Sequence, residues 1–304
     1  MDLKLAIDEF LLYIQIEKNY SAHTVCSYEY DLTSFHSFLT HFGSSTNLLD
    51  VNKTNVRRFI QYQLGKQKQS PRSLNRKISC LKSFTKYCLG EKYLDHNFMN
   101  GIETPKSAKK LVVYMTMKDL QQLFRTLEQD HSRFSTRNEV MFKLLATTGM
   151  RRSELVSLTW QQIEFANQTI RIYGKGKKER LLPLHPHLIP LLLAYQASLK
   201  PFQTYATEPV FLNKDGQALD PRGLHGIFKK VLKQADLPSS RFSLHHLRHT
   251  FATLMLQENK ENTDLRVLQD LLGHESITST EVYTHVDFQQ KKKAIDSFNL
   301  FNPL

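Results

Sequence analysis

The sequence predicts a mainly α-helical protein of two domains, the second carrying one small antiparallel β-sheet. Three observations predict it. Apolar residues recur at helical spacing between good capping residues along most of the chain. The stretch GIETPKSAKK, residues 101–110, mixes Gly, Pro, Ser and Lys without apolar period, which is how a linker reads. The stretch QTIRIYGKGKKERLLPL alternates apolar and polar residues on both sides of GKGK, the pattern of a β-hairpin.

Each element has its own warrant. Leu3, Ile7, Phe10, Leu11 and Ile14 mark a first helix over residues 3–14, and a second spans 21–42, with Ser21 as cap and Gly43 as stop. A third fits 54–64, followed by Gly65. In the fourth, Ser70 caps, Pro71 takes the first helical position and Gly90 follows the last periodic residue. Its Leu74, Ile78, Leu81 and Cys88 face one way, while Arg72, Arg76, Lys82 and Lys86 gather on the other. Residues 1–103 therefore form a helical domain with one basic face, 104–112 a linker, and 113–304 a second domain. There Thr116 with Asp119 resembles a capping pair before a helix to about residue 130, and Gly149 stops another over 136–148. The hairpin follows. Residues 186–298 read as mainly helical with short loops, ending in a tail helix over about 287–300 that carries Phe288, Ala294, Ile295 and Phe298.

The totals narrow the class of function. With 40% hydrophobic and 23% charged residues the chain is an ordinary globular one. Lys plus Arg exceed Asp plus Glu by 41 − 29 = 12, and a pI near 9.5 suggests a polyanionic partner, with nucleic acid ahead of a membrane surface. The lysines are spread through folded elements instead of lining one amphipathic helix, which disfavours the membrane. Cys26, Cys80 and Cys88 form no CxxC pair and are odd in number, so neither a disulfide framework nor a zinc ribbon is expected. The N-terminus is unlike a signal peptide, and the apolar run near LIPLLLAY falls far short of the ~20 residues a spanning helix needs. A cytoplasmic location is the expectation.

Chemistry is carried by an ordered set of cations ending in a tyrosine. TTGMRRSEL puts Arg151 just past a helix stop, GKGKKER puts Lys175 in a turn, and SLHHLRHTFAT sets His245 and Arg248 one helical turn apart, able to reach a common ligand. LLGHESITSTEVYTHV adds His274 and Tyr283. Arginine suits a phosphate because its planar fork bonds two oxygens at once and stays charged. Taken singly, such residues are usually solvated charge or packing. Their order and spacing carry the weight.

In that order the sequence resembles the tyrosine recombinase (phage integrase) family, and among its branches it is most similar to Xer-type recombinases and short integrases. The resemblance covers nearly the whole chain, since the first domain is similar to the family's SAM-like core-binding domain. It implies a two-domain DNA clamp acting on double-stranded recombination sites. Tyr283 would be the nucleophile, forming a 3′-phosphotyrosine link; Arg151 and Arg248 would clamp the phosphate; His274 would bond it. His245 would handle protons and Lys175 would protonate the leaving 5′-oxygen, with Glu154 in SEL as a supporting partner. Lys177 and Lys178 remain alternatives to Lys175. The basic face of Arg72, Arg76, Lys82 and Lys86 would bind DNA.

The resemblance also implies a homotetramer, or a heterotetramer with a paralogue, assembled on DNA by docking the tail into a neighbouring protomer. A tail folded on its own domain is the other possibility. No cofactor is expected: there is no GxxxxGK[ST] loop for ATP. His245 and His249 stand as in HExxH, but position 246 is His where a metal site would need Glu. Rival readings are a type IB topoisomerase-like enzyme that relaxes DNA without exchanging strands between sites, and a non-catalytic DNA-binding regulator. The regulator would be marked by loss of the tyrosine or an arginine, and none is lost.

Overall fold

A computed structural model describes residues 1–105, 113–174, 179–199, 208–259, 261–273 and 288–301. The chain divides into two compact units, Met1–Lys110 and Leu111–Leu304.

In the first unit, caps set the start of each helix. Asp2 accepts the Lys4 amide at 2.8 Å at the head of α1 (Leu3–Ile16), and Ser21 accepts that of Thr24 at the head of α2 (Ala22–His41). Asn52 and Asn55 exchange side-chain and backbone bonds at the head of α3 (Lys53–Gly65), which places that start one residue before the sequence pattern does. Ser70 and Pro71 open α4 (Pro71–Gly90). Each cap satisfies amides that a first helical turn leaves without partners. Leu3, Ile7, Phe10 and Ile14 of α1, Phe35 of α2, Phe59 of α3 and Leu74, Ile78 and Phe84 of α4 fill the core. Among its aromatic contacts are edge-on pairs, with Phe10 and Phe84 centroids 5.5 Å apart and Phe35 and Phe59 5.1 Å apart.

Arg72, Arg76, Lys82 and Lys86 are all exposed on α4. Arg76 is also anchored, donating to Asp31 Oδ2 at 2.6 Å and to the Ser27 carbonyl at 3.1 Å. Lys77 lies on the buried side of α4, 1% exposed, with its ammonium 3.5 Å from Asp31 Oδ1 and 5.0 Å from the Tyr30 ring centroid. Burial raises the Asp31 carboxyl and lowers the Lys77 ammonium, while the attraction between them opposes both shifts.

The second unit is built around α6 (Ser135–Thr148). Every residue from Val140 to Met150 is buried. The helix ends on Gly149 in the left-handed conformation, φ +60°, where a Cβ would lie 2.3 Å from Phe251 Cδ1. Only glycine meets both demands. Ahead of it, Thr116 and Asp119 form the expected reciprocal cap of α5 (Met117–Glu128). After it come the short α7 (Arg152–Val156) and an antiparallel sheet ordered β1 (Ile163–Glu164), β2 (Thr169–Tyr173), β3 (Glu179–Pro183). β2 and β3 are the expected hairpin, whose residues 175–178 lie outside the described ones. β1 was not expected, because two residues are too few to show alternation. The register sets Ile170 opposite Leu182 and Ile172 opposite Arg180.

Helices α8 (Leu188–Leu199), α9 (Pro221–Gln234), α10 (Leu244–Glu258), α11 (Leu265–Leu272) and α12 (Phe288–Asp296) complete the unit. Of the two placements expected for the tail, this chain shows the one on its own domain. Here α12 packs on α11 and β3 of its own chain. The reason is a matched set of contacts: Ala294, Ile295, Phe298 and Leu300 are buried, Asn259 donates to the Ala294 carbonyl at 2.8 Å, and Lys291 pairs with Asp270 at 2.9 Å. Phe301 stacks on Phe124, centroids 5.5 Å apart. Among the described residues, no helix is long and apolar enough to cross a membrane.

Candidate active site

The site is assembled at the C-terminal end of α11, where Asp264 starts the helix and Gly273 stops it at φ +63°. A helix leaves its last carbonyls without partners, and its C-terminus carries partial negative charge. Three consecutive carbonyls here are each taken by a different arginine. Arg180 Nε donates to Leu271 at 3.2 Å, Arg248 Nη2 to Leu272 at 2.7 Å and Arg151 Nη2 to Gly273 at 3.0 Å. These arginines come from β3, from the second turn of α10 and from the cap of α7. One helix end therefore gathers three cations from across the sequence.

Arg248 is anchored a second time, by Nη1 to the Gly149 carbonyl at 2.7 Å, so the stop of α6 also fixes the guanidinium. It is 8% exposed. Burial first, and then the charge of Arg151, pull its pKa down to about 10. It remains protonated at neutral pH. Arg151 is half-exposed and anchored by Glu154, whose Oε1 accepts Arg151 Nη1 at 2.9 Å and whose Oε2 accepts the Arg151 amide at 2.7 Å. Of the five N–H donors on a guanidinium, Arg151 and Arg248 each commit two to acceptors among the described residues. The others have no acceptor among the described residues.

Glu154 holds this cluster together. Arg180 grips it with two parallel bonds, Nη1 to Oε1 and Nη2 to Oε2, both 2.9 Å. Burial alone would raise the Glu154 carboxyl, but the bonds from Arg180 and then Arg151 outweigh it and hold the group below the usual carboxylate range. One carboxylate against three guanidiniums leaves the cluster net positive.

His245 lies in the first turn of α10, exposed, three residues before Arg248. Its ring centroid is 4.3 Å from that of His249. His249 is pushed below the ordinary histidine value by burial and then by His245, His246 and Arg248, so it is neutral at pH 7. His246 accepts the Ser243 amide at 3.1 Å and thereby closes the cap of α10. Among the described residues no group of three His, Cys, Asp or Glu side chains is arranged to hold a metal ion.

The structure thus brings Arg151, Glu154 and Arg248 together, with His245 one turn from Arg248. Lys175, its alternatives Lys177 and Lys178, His274 and Tyr283 lie outside the described residues, although Gly273, immediately before His274, is part of the cluster. Arg72, Arg76, Lys82 and Lys86 belong to the other unit. Sequence reasoning missed Arg180. Its signal was the strand alternation: Ile172, its partner in register, is buried, so a charge at position 180 falls on the inward face and needs a buried partner.

The phage integrase family matches residues 113–290, and its N-terminal SAM-like domain matches residues 7–92. Tyrosine recombinase XerC of Oceanobacillus iheyensis is 38% identical over 296 residues, covering 96% of this chain and 95% of that one. The XerC of Anoxybacillus flavithermus is 37% identical over 289 residues, 94% of each. Two solved structures share the fold. XerH recombinase in a post-cleavage complex with palindromic difH superposes with a TM-score of 0.72 at 23% identity, covering 85% of this chain and 75% of that one. The Tn1549 transposon integrase in complex with transposon right-end DNA superposes at 0.73 and 17% identity, covering 91% and 93%. With a family match over more than half its length and relatives this close along nearly all of it, the chain belongs to the phage integrase family and is a site-specific tyrosine recombinase, an enzyme of DNA strand exchange.

Proposed function

We infer that the chain cuts and rejoins duplex DNA with Tyr283 as nucleophile and the cluster at the end of α11 as its phosphate clamp. The supporting observation is the convergence of Arg151 and Arg248 on the adjacent carbonyls of Leu272 and Gly273, one residue before His274. A phosphodiester seated against their remaining donors has its non-bridging charge met by fixed cations. Preorganised donors of this kind each lower a barrier by about 3–4 kcal/mol. The phenol needs that help, since at its ordinary pKa near ~10 about one molecule in a thousand is ionised at neutral pH.

In the proposed step the Tyr283 oxygen attacks phosphorus and the bond to the 5′-oxygen breaks. Lys175 gives that oxygen its proton, and His245 takes part in removing the phenolic proton. His274 adds a bond to the phosphate. The ester energy is kept in the phosphotyrosine link, so a 5′-hydroxyl from a second site reverses the step without ATP or a metal. Residues 104–112 separate the two DNA-binding units, with Arg72, Arg76, Lys82 and Lys86 contacting backbone phosphates. The working form is a cytoplasmic tetramer on two sites, of one chain or of two paralogues.

The test begins by recovering the DNA site through selection with Tyr283→Phe protein. Wild-type protein on nicked duplexes of that site is expected to form an SDS-resistant complex in EDTA, with the DNA mapped to Tyr283 by peptide mass spectrometry. A covalent complex formed by Tyr283→Phe protein, or attachment at another residue, overturns the reading. Relaxation of plasmids lacking the site, without rearranged products, would instead indicate a topoisomerase.

A further inference from the structure

Arg180 bonds both Glu154 and the end of α11, and the step proposed above gives it no part. Its guanidinium commits three nitrogens to two partners from different segments. Nη1 and Nη2 hold both oxygens of Glu154 on α7 at 2.9 Å, and Nε holds the Leu271 carbonyl of α11 at 3.2 Å. Its own backbone is part of β3, two residues after position 178. The fit is close: a Cβ on Gly273 would lie 3.1 Å from Arg180 Nη1 and 3.2 Å from its Cδ. The side chain is 12% exposed, so water does not substitute for its bonds.

The arrangement has a consequence for Arg151. An ionised carboxylate accepts about four hydrogen bonds, and Glu154 receives four: two from Arg180, one from the Arg151 amide and one from Arg151 Nη1. With its charge shared by Arg180, Glu154 aims Arg151 through a single nitrogen. Without Arg180 the carboxylate would keep Arg151 as the one guanidinium hydrogen-bonded to it among the described residues, and would draw it into a two-nitrogen grip of the kind Arg180 now makes. Donors meant for an anion would then be turned onto protein.

We propose that Arg180 is a positioning residue for strand cleavage: it occupies Glu154 so that Arg151 stays turned toward the scissile phosphate, and it sets the hairpin that bears Lys175 against the end of α11 that leads to His274. This rests on the roles given above to Arg151, Lys175 and His274. A lysine replaces it only in part, because its compact ammonium lacks the planar fork that spans both carboxylate oxygens while Nε reaches the carbonyl.

The experiment measures single-turnover formation of the covalent complex on nicked duplexes of the recovered site, together with DNA affinity and melting temperature. Wild-type, Arg180→Lys, Arg180→Gln and Arg180→Gln/Glu154→Gln proteins are compared from pH 5 to 9. Arg180→Gln is expected to bind DNA with unchanged affinity and to cleave about 100-fold more slowly, the loss typical of misplacing a group by about an ångström. Arg180→Lys should recover only part of that rate. The charged groups facing Glu154 are Arg151, Arg180 and Arg248. Removing Arg180 leaves burial less opposed and moves the carboxyl upward, so the Arg180→Gln rate should acquire an acid-side dependence. The double variant, with no carboxyl, should lose that dependence and regain rate.

Wild-type rates in both single variants overturn the proposal, as does a parallel fall of rate, affinity and melting temperature with no rescue in the double variant, which would make Arg180 a brace of the fold. If Tyr283→Phe protein still forms the covalent link, it is the proposed function that fails. If that variant is inactive and Arg180→Gln is not slowed, the inference about Arg180 fails alone.

Discussion

Gly149→Ala puts the packing under the clamp to a quantitative test. The residue has φ +60°, and a side chain in the left-handed region costs about 1–2 kcal/mol. The new Cβ would lie 2.3 Å from Phe251 Cδ1, 2.9 Å from its Cε1 and 3.0 Å from Leu272 Cδ2. Phe251 is fully buried and cannot swing into solvent, so overpacking adds about 1–3 kcal/mol. The sum, roughly 2–5 kcal/mol, corresponds to a melting temperature lower by about 4–20 °C for a unit of this size. Circular dichroism at 222 nm follows the melt. The Gly149 carbonyl also anchors Arg248, so cleavage at a temperature where the variant is folded should fall further than DNA affinity does. Phe251→Leu added to Gly149→Ala should recover about 1–3 kcal/mol as a coupling between neighbours. A Gly149→Ala protein melting within about 1 °C of wild type, well below the shift expected per kcal/mol, would refute the reasoning.

Three other outcomes are expected. Asp31→Ala strands the buried Lys77 ammonium, which should destabilise the first unit by about 3–5 kcal/mol in urea titration, while Asp31→Leu with Lys77→Met together should cost less. His185 is 4% exposed, and burial first, then His187, lower its pKa from 6.5 to about 4. A depressed histidine contributes stability above its unfolded pKa and loses it as pH falls through the folded one, so 6.5 − 4 = 2.5 units amount to about 3 kcal/mol lost between pH 6.5 and 4. His185→Gln, which keeps an acceptor for the His187 amide, should flatten that acid limb; an unchanged limb would rule the assignment out. Replacing Arg72, Arg76, Lys82 and Lys86 by alanine should weaken DNA binding and reduce the slope of log affinity against log salt by about one per lost phosphate contact. Arg76→Ala alone should change it least, because Asp31 already holds that guanidinium.

Much of this was legible in the sequence because the signals were local. Ser21, Ser70 and Thr116 start their helices and Gly149 ends one, since a cap needs only residues within a turn of it. The spacing HHLR sets His245 and Arg248 on one side of a helix by itself. The misses share another cause. That Arg151 and Arg248 meet at the carbonyls of residues 272 and 273, and that Arg180 joins them, depends on contacts spanning 122, 24 and 91 residues, which no periodicity encodes. Lys77 sits next to Arg76 in the chain yet on the other side of α4, and only Asp31 on α2 explains how it can be there. The tail's apolar positions announced a buried face without saying whose core it would enter.

That last contact makes the tail part of the second unit's own interior. Phe298 rests 5.9 Å from Phe251, so a protomer that lent its last helix to a neighbour would leave a hole in its own interior until another protomer's helix refilled it. The tail is therefore a structural member of the second unit, and whatever pulls it away must first offset the opening of that unit's core.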